Sequence, residues 1–564
     1  MIRIFRQLFN SQSKTITGAA FIIGLFSLIS RLLGIVRDRI LAGTFGAGDT
    51  LDMYYAAFRI PDLVFNLIVL GALSAGFIPV FTEYLSRKNA DSDAEKPAQI
   101  LEKLERAGAD RRGYTEAWEL ASNVLNITIV ALIILGGFLF LLATYLMPLI
   151  TPGFSGEKIK ITVTLTRIMF LSPLFLGVSS VFGGVLQSFK RFFVYSLAPV
   201  MYNIGIIIGA LFLVNFFAEP VYGLALGVIL GAFLHMIIQV PSTIFSGFRW
   251  KWTFNLYHEG IRKIGHLMIP RTLGLATSQI NLLVITIIAS TLAGGSIAVF
   301  NFANNLQSFP LGIFGISFAI ASFPTLSIFA SQRNFKEFIK NFSYTFRQIL
   351  FFIIPTSVLL LVLRAQIVRV ILGTGVFDWE DTILVAQSLG FFSFSLFAQA
   401  LIFLLARSFY ALQNTIIPFV AALSAVVFNI IFCLILVKPF GAPGLALAYS
   451  IAAFINMALL LIFLKIRLRD LDDKKILTST FKIIIASFIM AVVVQAIKYV
   501  IEPFVNMQTF LGVVIQGLVA GMVGLVVFVV ISLILKSPEM IGFKEKIEHK
   551  FFRIRLPFIG ENGA

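Results

Sequence analysis

The chain has 564 residues, of which 58% are hydrophobic and 13% charged, with a mean hydropathy of +0.93 and 60 phenylalanines. A soluble domain carries about 25% charged residues, so the composition excludes an ordinary soluble enzyme and fits a polytopic membrane protein. The net charge of +17 reads as the cytoplasmic Lys/Arg excess that orients membrane proteins, and no nucleic acid is expected because no basic stretch is interleaved with stacking aromatics.

The amino terminus, MIRIFRQLFNSQSKTITGAA, is basic and then apolar. It reads as a cytoplasmic segment (1–15) entering a retained first membrane helix, since the apolar run is too long for a signal peptide. Runs long enough to span a bilayer follow near 16–43, 53–86, 117–149, 159–189, 193–217 and 221–247, and again near 264–294, 297–331, 337–365, 380–412, 415–437 and 442–466. Two more lie near 476–500 and 508–536. The expectation is an all-α polytopic membrane protein of about fourteen transmembrane helices. It comprises an N-lobe (16–248, with a cytoplasmic insert 87–115), an inter-lobe linker (249–263), a C-lobe (264–466), two C-terminal helices (467–536) and a basic cytoplasmic tail (537–564). With the amino terminus in the cytoplasm, 30 of the 45 Lys and Arg fall in cytoplasmic segments and 8 on the opposite side, which places both termini inside.

The polar insert Ser86–Glu116 reads as a solvated connector with a short amphipathic helix at AQILEKLERA. The tail KEKIEHKFFRIRLPF suits a segment lying on an anionic inner leaflet. Two weak copies are visible. LQSFKRFFVYSLAPVMYN (Leu186–Asn203) pairs with LQNTIIPFVAALSAVVFN (Leu412–Asn429), and GLALG (Gly223–Gly227) with GLALA (Gly444–Ala448). Such repeats belong to transporters that work by alternating access.

Charge inside these runs is the functional signal. An arginine at the bilayer centre costs about 2.5–3.5 kcal/mol even on a mild scale, yet Arg31, Arg59 and Arg271 stand inside helices 1, 2 and 7. Ser27, Arg31, Gly34 and Asp38 share one helical face. Helix 7 adds Gln279, and helix 8 adds Asn304 and Asn305. Guanidinium groups gathered in a wet cavity select an anionic ligand, because the fork binds two phosphate oxygens at once. Arg39, Arg167, Arg347 and Arg407 read as snorkelling to an interface. The one cysteine, Cys433, and four scattered histidines (His235, His258, His266, His549) offer no metal site and no disulfide. No Gly-rich phosphate loop is present, so the expectation is a transporter without a cofactor, not an enzyme. A buried acid can couple transport to Na+ or H+, with Asp38 and Asp52 the candidates, and the membrane potential is a further source of drive.

The stretch SRLLGIVRDRILAGTFGAGDTLDMYYAAFRIPDL (Ser30–Leu63), with GALSAGFIP (Gly71–Pro79) and ITPGFSG, resembles the MurJ (MviN) family of lipid II flippases, in the multidrug/oligosaccharidyl-lipid/polysaccharide exporter superfamily. The resemblance implies a V-shaped, two-lobed transporter in the bacterial inner membrane. Its substrate would be undecaprenyl-pyrophosphate-linked peptidoglycan precursor, with the lipid tail in a groove along helices 13 and 14. By position, Arg31, Arg37 and Asp52 match family residues important for flipping, and Ser30 and Asp38 lie in the same motif. The expected substrate set is therefore Arg31, Arg37, Arg59, Arg271, Ser30, Asn304, Asn305 and Gln279. Where the family has an Arg-Arg pair and a Glu, this chain has Phe65, Asn66 and Leu70, and an Asp-Arg of helix 8 is Asn304-Asn305. The expected partners are the polyprenyl-pyrophosphate lipid, membrane lipids and cell-wall synthesis enzymes, around a monomer. The alternatives are an exporter of another polyprenyl-linked glycan or a small molecule, and a non-transporting scaffold.

Overall fold

A computed structural model describes residues 16–70, 76–86 and 115–553, and every regular element among them is helical. The chain forms two compact units, Met1–Ala298 and Val299–Ala564. The first holds α1 (Ile16–Phe45), α2 (Asp49–Val64), a π-helical stretch Phe65–Leu70 and α3 (Ile78–Ser86). It continues with α4 (Thr115–Ile150), α5 (Gly156–Met169), α6 (Leu171–Ser188), α7 (Phe192–Leu211), α8 (Pro220–Ile237), α9 (Val240–Phe245) and α10 (Glu259–Ser290). Helix α11 (Ser296–Pro310) begins in the first unit. The second holds the rest of it, a π-helical stretch Leu311–Ile316, α12 (Ser317–Ser331), α13 (Phe335–Val362), α14 (Arg364–Ile371), α15 (Trp379–Ala411), α16 (Ile416–Phe440) and α17 (Ala442–Leu468). It closes with α18 (Asp473–Ile501), α19 (Phe510–Ile534) and α20 (Pro538–Arg553). Eleven of the described helical segments are long and apolar enough to cross a membrane. With α1, α2–α3 and α10 the crossings number about fourteen.

Several expected spans are interrupted. The run 53–86 is not one α-helix: Pro61 lies in α2 and the π-helical stretch follows within one turn. Helix 8 repeats the device, with Pro310 closing α11 immediately before Leu311–Ile316. Proline removes a backbone donor, and a local change of helical register absorbs the loss. The run 159–189 breaks at Phe170, next to Pro173, and 337–365 ends early, its last residues turning into the separate helix α14. The amphipathic helix expected at AQILEKLERA and the last residues of the tail lie outside the described residues.

Small residues set the tightest packing. Gly205 and Gly209 of α7 face Gly231 and Gly227 of α8. A Cβ placed on Gly227 would stand 2.6 Å from the Cα of Gly209. This is close backbone approach of the kind membrane helices use. Gly223 and Gly444, the matching glycines of the two sequence copies, play one role: each lets its helix start against the end of the preceding one, at Leu213–Val214 and at Leu436–Val437. The Gln187 and Gln413 match is not equivalent. Gln187 is inside the last turn of α6, whereas Gln413 is a left-handed cap (φ 56°) whose counterpart is Lys190 (φ 57°). The amides after both caps close the same way, Arg191 on the Leu186 carbonyl and Asn414 on the Phe409 carbonyl.

The first unit carries an aromatic stack at one end: Phe77 on Phe81, and Trp118 on Phe189 with planes 9° apart. The segment 249–257 is stitched along α4. Asn126 Nδ2 donates to the Lys251 and Thr253 carbonyls (2.9 and 2.8 Å), and Asn123 exchanges two bonds with Asn255 (2.8 Å each). Trp250, Trp252 and Phe254 stay exposed, as interfacial anchors do. In the second unit a phenylalanine core (Phe338, Phe342, Phe346, Phe409) joins α13 to α15 and α18.

Gly209→Leu is expected to force α7 and α8 apart and cost about 1–3 kcal/mol. The check is a lowered thermal midpoint of the purified protein, against Gly136→Leu as control, where an added side chain meets open space.

Candidate functional site

Helix α1 presents three faces. Phe21, Leu25, Leu28, Leu32 and Val36 are exposed along one row, the lipid side. Ser30, Gly34 and Arg37 turn to α7 and meet Asn203. Arg37 Nη1 donates to Asn203 Oδ1 (3.2 Å), and Asn203 Nδ2 donates to the Ser30 carbonyl and hydroxyl (3.3 Å each). A Cβ on Gly34 would lie 3.9 Å from Asn203 Oδ1. The third face, which borders this seam at Gly34, holds exposed Ser27, half-buried Arg31 and buried Asp38. Arg37 also forks onto Asp38 Oδ1 through Nε (3.0 Å) and Nη2 (2.7 Å). Ser30 and Arg37 are thus fixed in a helix seam, and Arg31 lies on the face beside it. Asn203 was visible in the sequence only as a repeat marker. A lone asparagine inside an apolar run is the signal that identifies such a seam, because a buried amide needs a partner.

Arg59 on α2 reaches α10, where its Nε donates to Thr286 Oγ1 (2.8 Å). Asp62 follows one turn later and was not singled out from the sequence. At i, i+3 it lies beside Arg59 on the helix surface. Asn66 donates its Nδ2 to the Asp62 carbonyl (2.8 Å), which also accepts from the Phe65 amide. Thr272 Oγ1 reaches the Leu67 carbonyl of the same stretch (3.4 Å). Gln279 is half-buried on α10, and the side chain of Arg271 lies outside the described residues.

Asp52 is almost wholly buried and caps a helix in another part of the chain. Its Oδ2 accepts from the Gly295 amide (2.8 Å) and its Oδ1 from the Ala298 amide (2.9 Å). These amides open α11, where a carboxylate also meets the positive end of the helix dipole. Lys158 of α5 stands 4.0 Å from Asp52 and pairs with Asp49 at 2.7 Å. Glycines make the approach feasible. A Cβ on Gly295 (φ 89°) would collide with the Ala47 carbonyl, one on Gly294 with Asp49, and one on Gly153 with Ser290. The turns 46–48, 151–155 and 291–295 are therefore locked together, closing the end of the first unit at which α1 hands over to α2.

In the second unit Asn304 Oδ1 accepts from Gln307 (3.0 Å), and Gln399 Nε2 donates to Gln307 (2.9 Å) and Ser395 (2.9 Å). Ser395 bonds Ser450 (2.9 Å). This buried ladder holds α11, α15 and α17, and Asn305 is half-buried beside it in sequence. Two arginines assigned to snorkelling behave otherwise. Arg347 is half-buried against the buried carboxylate of Glu539, and Arg167 donates to the Phe140 carbonyl and to Thr144 Oγ1 while lying over the Phe140 ring. No group of His, Cys, Asp and Glu among the described residues could hold a metal ion.

Comparison with known proteins adds the following. The family model described as "Lipid II flippase MurJ" matches residues 41–515. A probable lipid II flippase MurJ of Vibrio cholerae is 32% identical over 453 residues, covering 79% of this chain and 82% of its own. A solved MurJ in an inward closed conformation superposes with a TM-score of 0.71 at 24% identity, covering 91% of this chain and 98% of that one. An inward-facing multidrug resistance transporter of the MATE family gives 0.61 at 16% identity, covering 79% and 96%.

If Asp52 is the latch at this end, Asp52→Ala should expose it. With Cys433 replaced by Ser and the buried Ser296 replaced by Cys, labelling by a membrane-impermeant maleimide is expected to be slow in the Asp52 background and several-fold faster in Asp52→Ala. Equal rates would show that the two amides do not depend on the carboxylate.

Proposed function

The chain belongs to the lipid II flippase MurJ family, and from that premise we propose that it moves lipid II, the polyprenyl-pyrophosphate-linked peptidoglycan precursor, from the inner to the outer leaflet by alternating access. It is a multi-pass inner-membrane transporter with, in this proposal, both termini in the cytoplasm. The observation that carries the reading is the retention of Arg31 and Arg59, both half-buried within membrane helices α1 and α2, where an unused guanidinium is costly. Arg31, Arg59 and Arg271 are proposed to take the pyrophosphate. Its oxygens suit the guanidinium fork, and each charge-assisted bond contributes about 1.5–3 kcal/mol. Arg37 and Ser30 act one step back: their bonds to Asn203 hold the face of α1 on which Arg31 stands.

On the proposed orientation the end locked by Asp52 is the outer one, so the first unit is shut toward the outside. Asp38 and Asp52, the proposed coupling acids, are both engaged in this state, one by Arg37 and the other by the amides of Gly295 and Ala298. A proton or Na+ would act by competing with those donors for the carboxylate. A second reading, export of another polyprenyl-linked glycan, is favoured by one feature, the uncharged Phe65, Asn66, Asn304 and Asn305 where the family resemblance implies charge.

Arg31→Ala is expected to lower lipid II translocation by about 10- to 100-fold with undiminished folded protein, measured by leaflet-specific labelling of lipid II in cells that depend on this chain. Undiminished transport would remove Arg31 from the site. Native mass spectrometry of co-purifying lipid separates the two readings by the mass of the glycan.

A further inference from the structure

A cavity of about 680 Å³ opens in the second unit where α12 ends and α13 and α18 begin, beside the start of α20. None of the residues assigned to transport lines it. Five cations, Lys340, Arg347, Lys474, Lys475 and Lys482, face two carboxylates, Glu337 and Asp472. Both carboxylates are engaged locally. Glu337 pairs with Lys340 (3.4 Å), and Asp472 pairs with Lys475 (3.3 Å) and accepts from Ser343 (2.9 Å). Lys482 is anchored by its bond to the Lys536 carbonyl (3.1 Å), and Lys474 is exposed at the rim. Arg347 is compensated by Glu539, so the positive excess of the cavity rests on Lys474 and Lys482, and the amino-terminal end of α18 adds to it.

A second observation points to a ligand. Arg347 Nε, Ser479 Oγ and Asn341 Oδ1 are buried among the lining residues with no hydrogen-bond partner among the described residues, and Ser479 is only 3% exposed. Buried polar atoms are normally satisfied. Here two donors and one acceptor await a group that offers acceptor oxygens together with a hydroxyl. Leu477, Phe481, Ile484 and Phe488 climb α18 from the same end as an exposed apolar row, a path for acyl chains.

We propose that this cavity binds the headgroup of an anionic glycerophospholipid. The phosphodiester would sit among Lys474, Lys482, Arg347 Nε and Ser479, a headgroup hydroxyl on Asn341, and the chains along the α18 row. Basic pockets between membrane helices recognise lipid in this way. The leaflet is the cytoplasmic one, a point that rests on the proposed orientation, whereas the site itself does not depend on the flippase reading.

The test uses the full-length protein, stripped of lipid in detergent, and native mass spectrometry with phosphatidylglycerol, phosphatidylethanolamine or inorganic phosphate. Phosphatidylglycerol is expected to bind about tenfold more tightly than phosphatidylethanolamine, and Lys474→Ala/Lys482→Ala to abolish that preference with an unchanged melting temperature. Should the double variant melt early, Lys474→Gln, on an exposed side chain, is expected to lose part of the preference without unfolding. A parent that binds both lipids equally, or variants that keep the full preference, overturns the proposal. Displacement of phosphatidylglycerol by millimolar inorganic phosphate assigns the cavity to a soluble anion and overturns the lipid assignment.

Discussion

Hydrocarbon offers no partner to a polar group, and this single constraint organises the molecule. Each amide or charge placed in a membrane helix must find its complement on another helix, so polar residues become register pins. Asn203 joins α7 to α1 at two levels, through Ser30 and through Arg37. Gln399 joins α15 to α11, and Gln516 joins α19 to the short helix α14 through Gln366 (2.9 Å). Such bonds contribute only about 0.6–2 kcal/mol each, but a slip of one residue would strand both partners. Apolar packing allows many registers; these pins select one.

The same constraint explains where the backbone departs from the α form. In each unit a helix carrying polar residues contains a proline followed by π-helical backbone, Pro61 with Phe65–Leu70 and Pro310 with Leu311–Ile316. Carbonyls in and beside these stretches also accept from side chains: Asp62 from Asn66, Leu67 from Thr272, and Gly312 from Ser317 (3.0 Å). Arg59 precedes the first of these stretches by about two turns, and Asn304 precedes the second by a similar interval. Single π-helical turns of this kind are found frequently at functional sites.

Most of the fold was legible because hydropathy is a direct record of lipid contact. What the apolar runs could not show was interruption. A π-helical turn has the composition of an α-helical one, so the run 53–86 read as continuous, and only the first two residues of α14 fell within the expected run 337–365. The candidate site divides similarly. The importance of Asp52 was legible from the motif, but its partners are backbone amides more than 240 residues away. Amides have no residue type, and only the Gly294-Gly295 pair hinted that something must approach closely there. Arg347 misled for the opposite reason. Its position near a helix end suggested water, while its partner, Glu539, belongs to a tail whose charge pattern read as membrane surface.

The segment 249–257 leads into α10, and Ser122, Asn123 and Asn126 fasten it to α4 through main-chain bonds. A tether of this kind transmits force rather than absorbing it. Any change in the tilt of α10 must be taken up along its own length, where Gly265 and Gly274 have open space around them. In mechanical terms α10 is a beam clamped at its foot, and its compliance lies in the shaft.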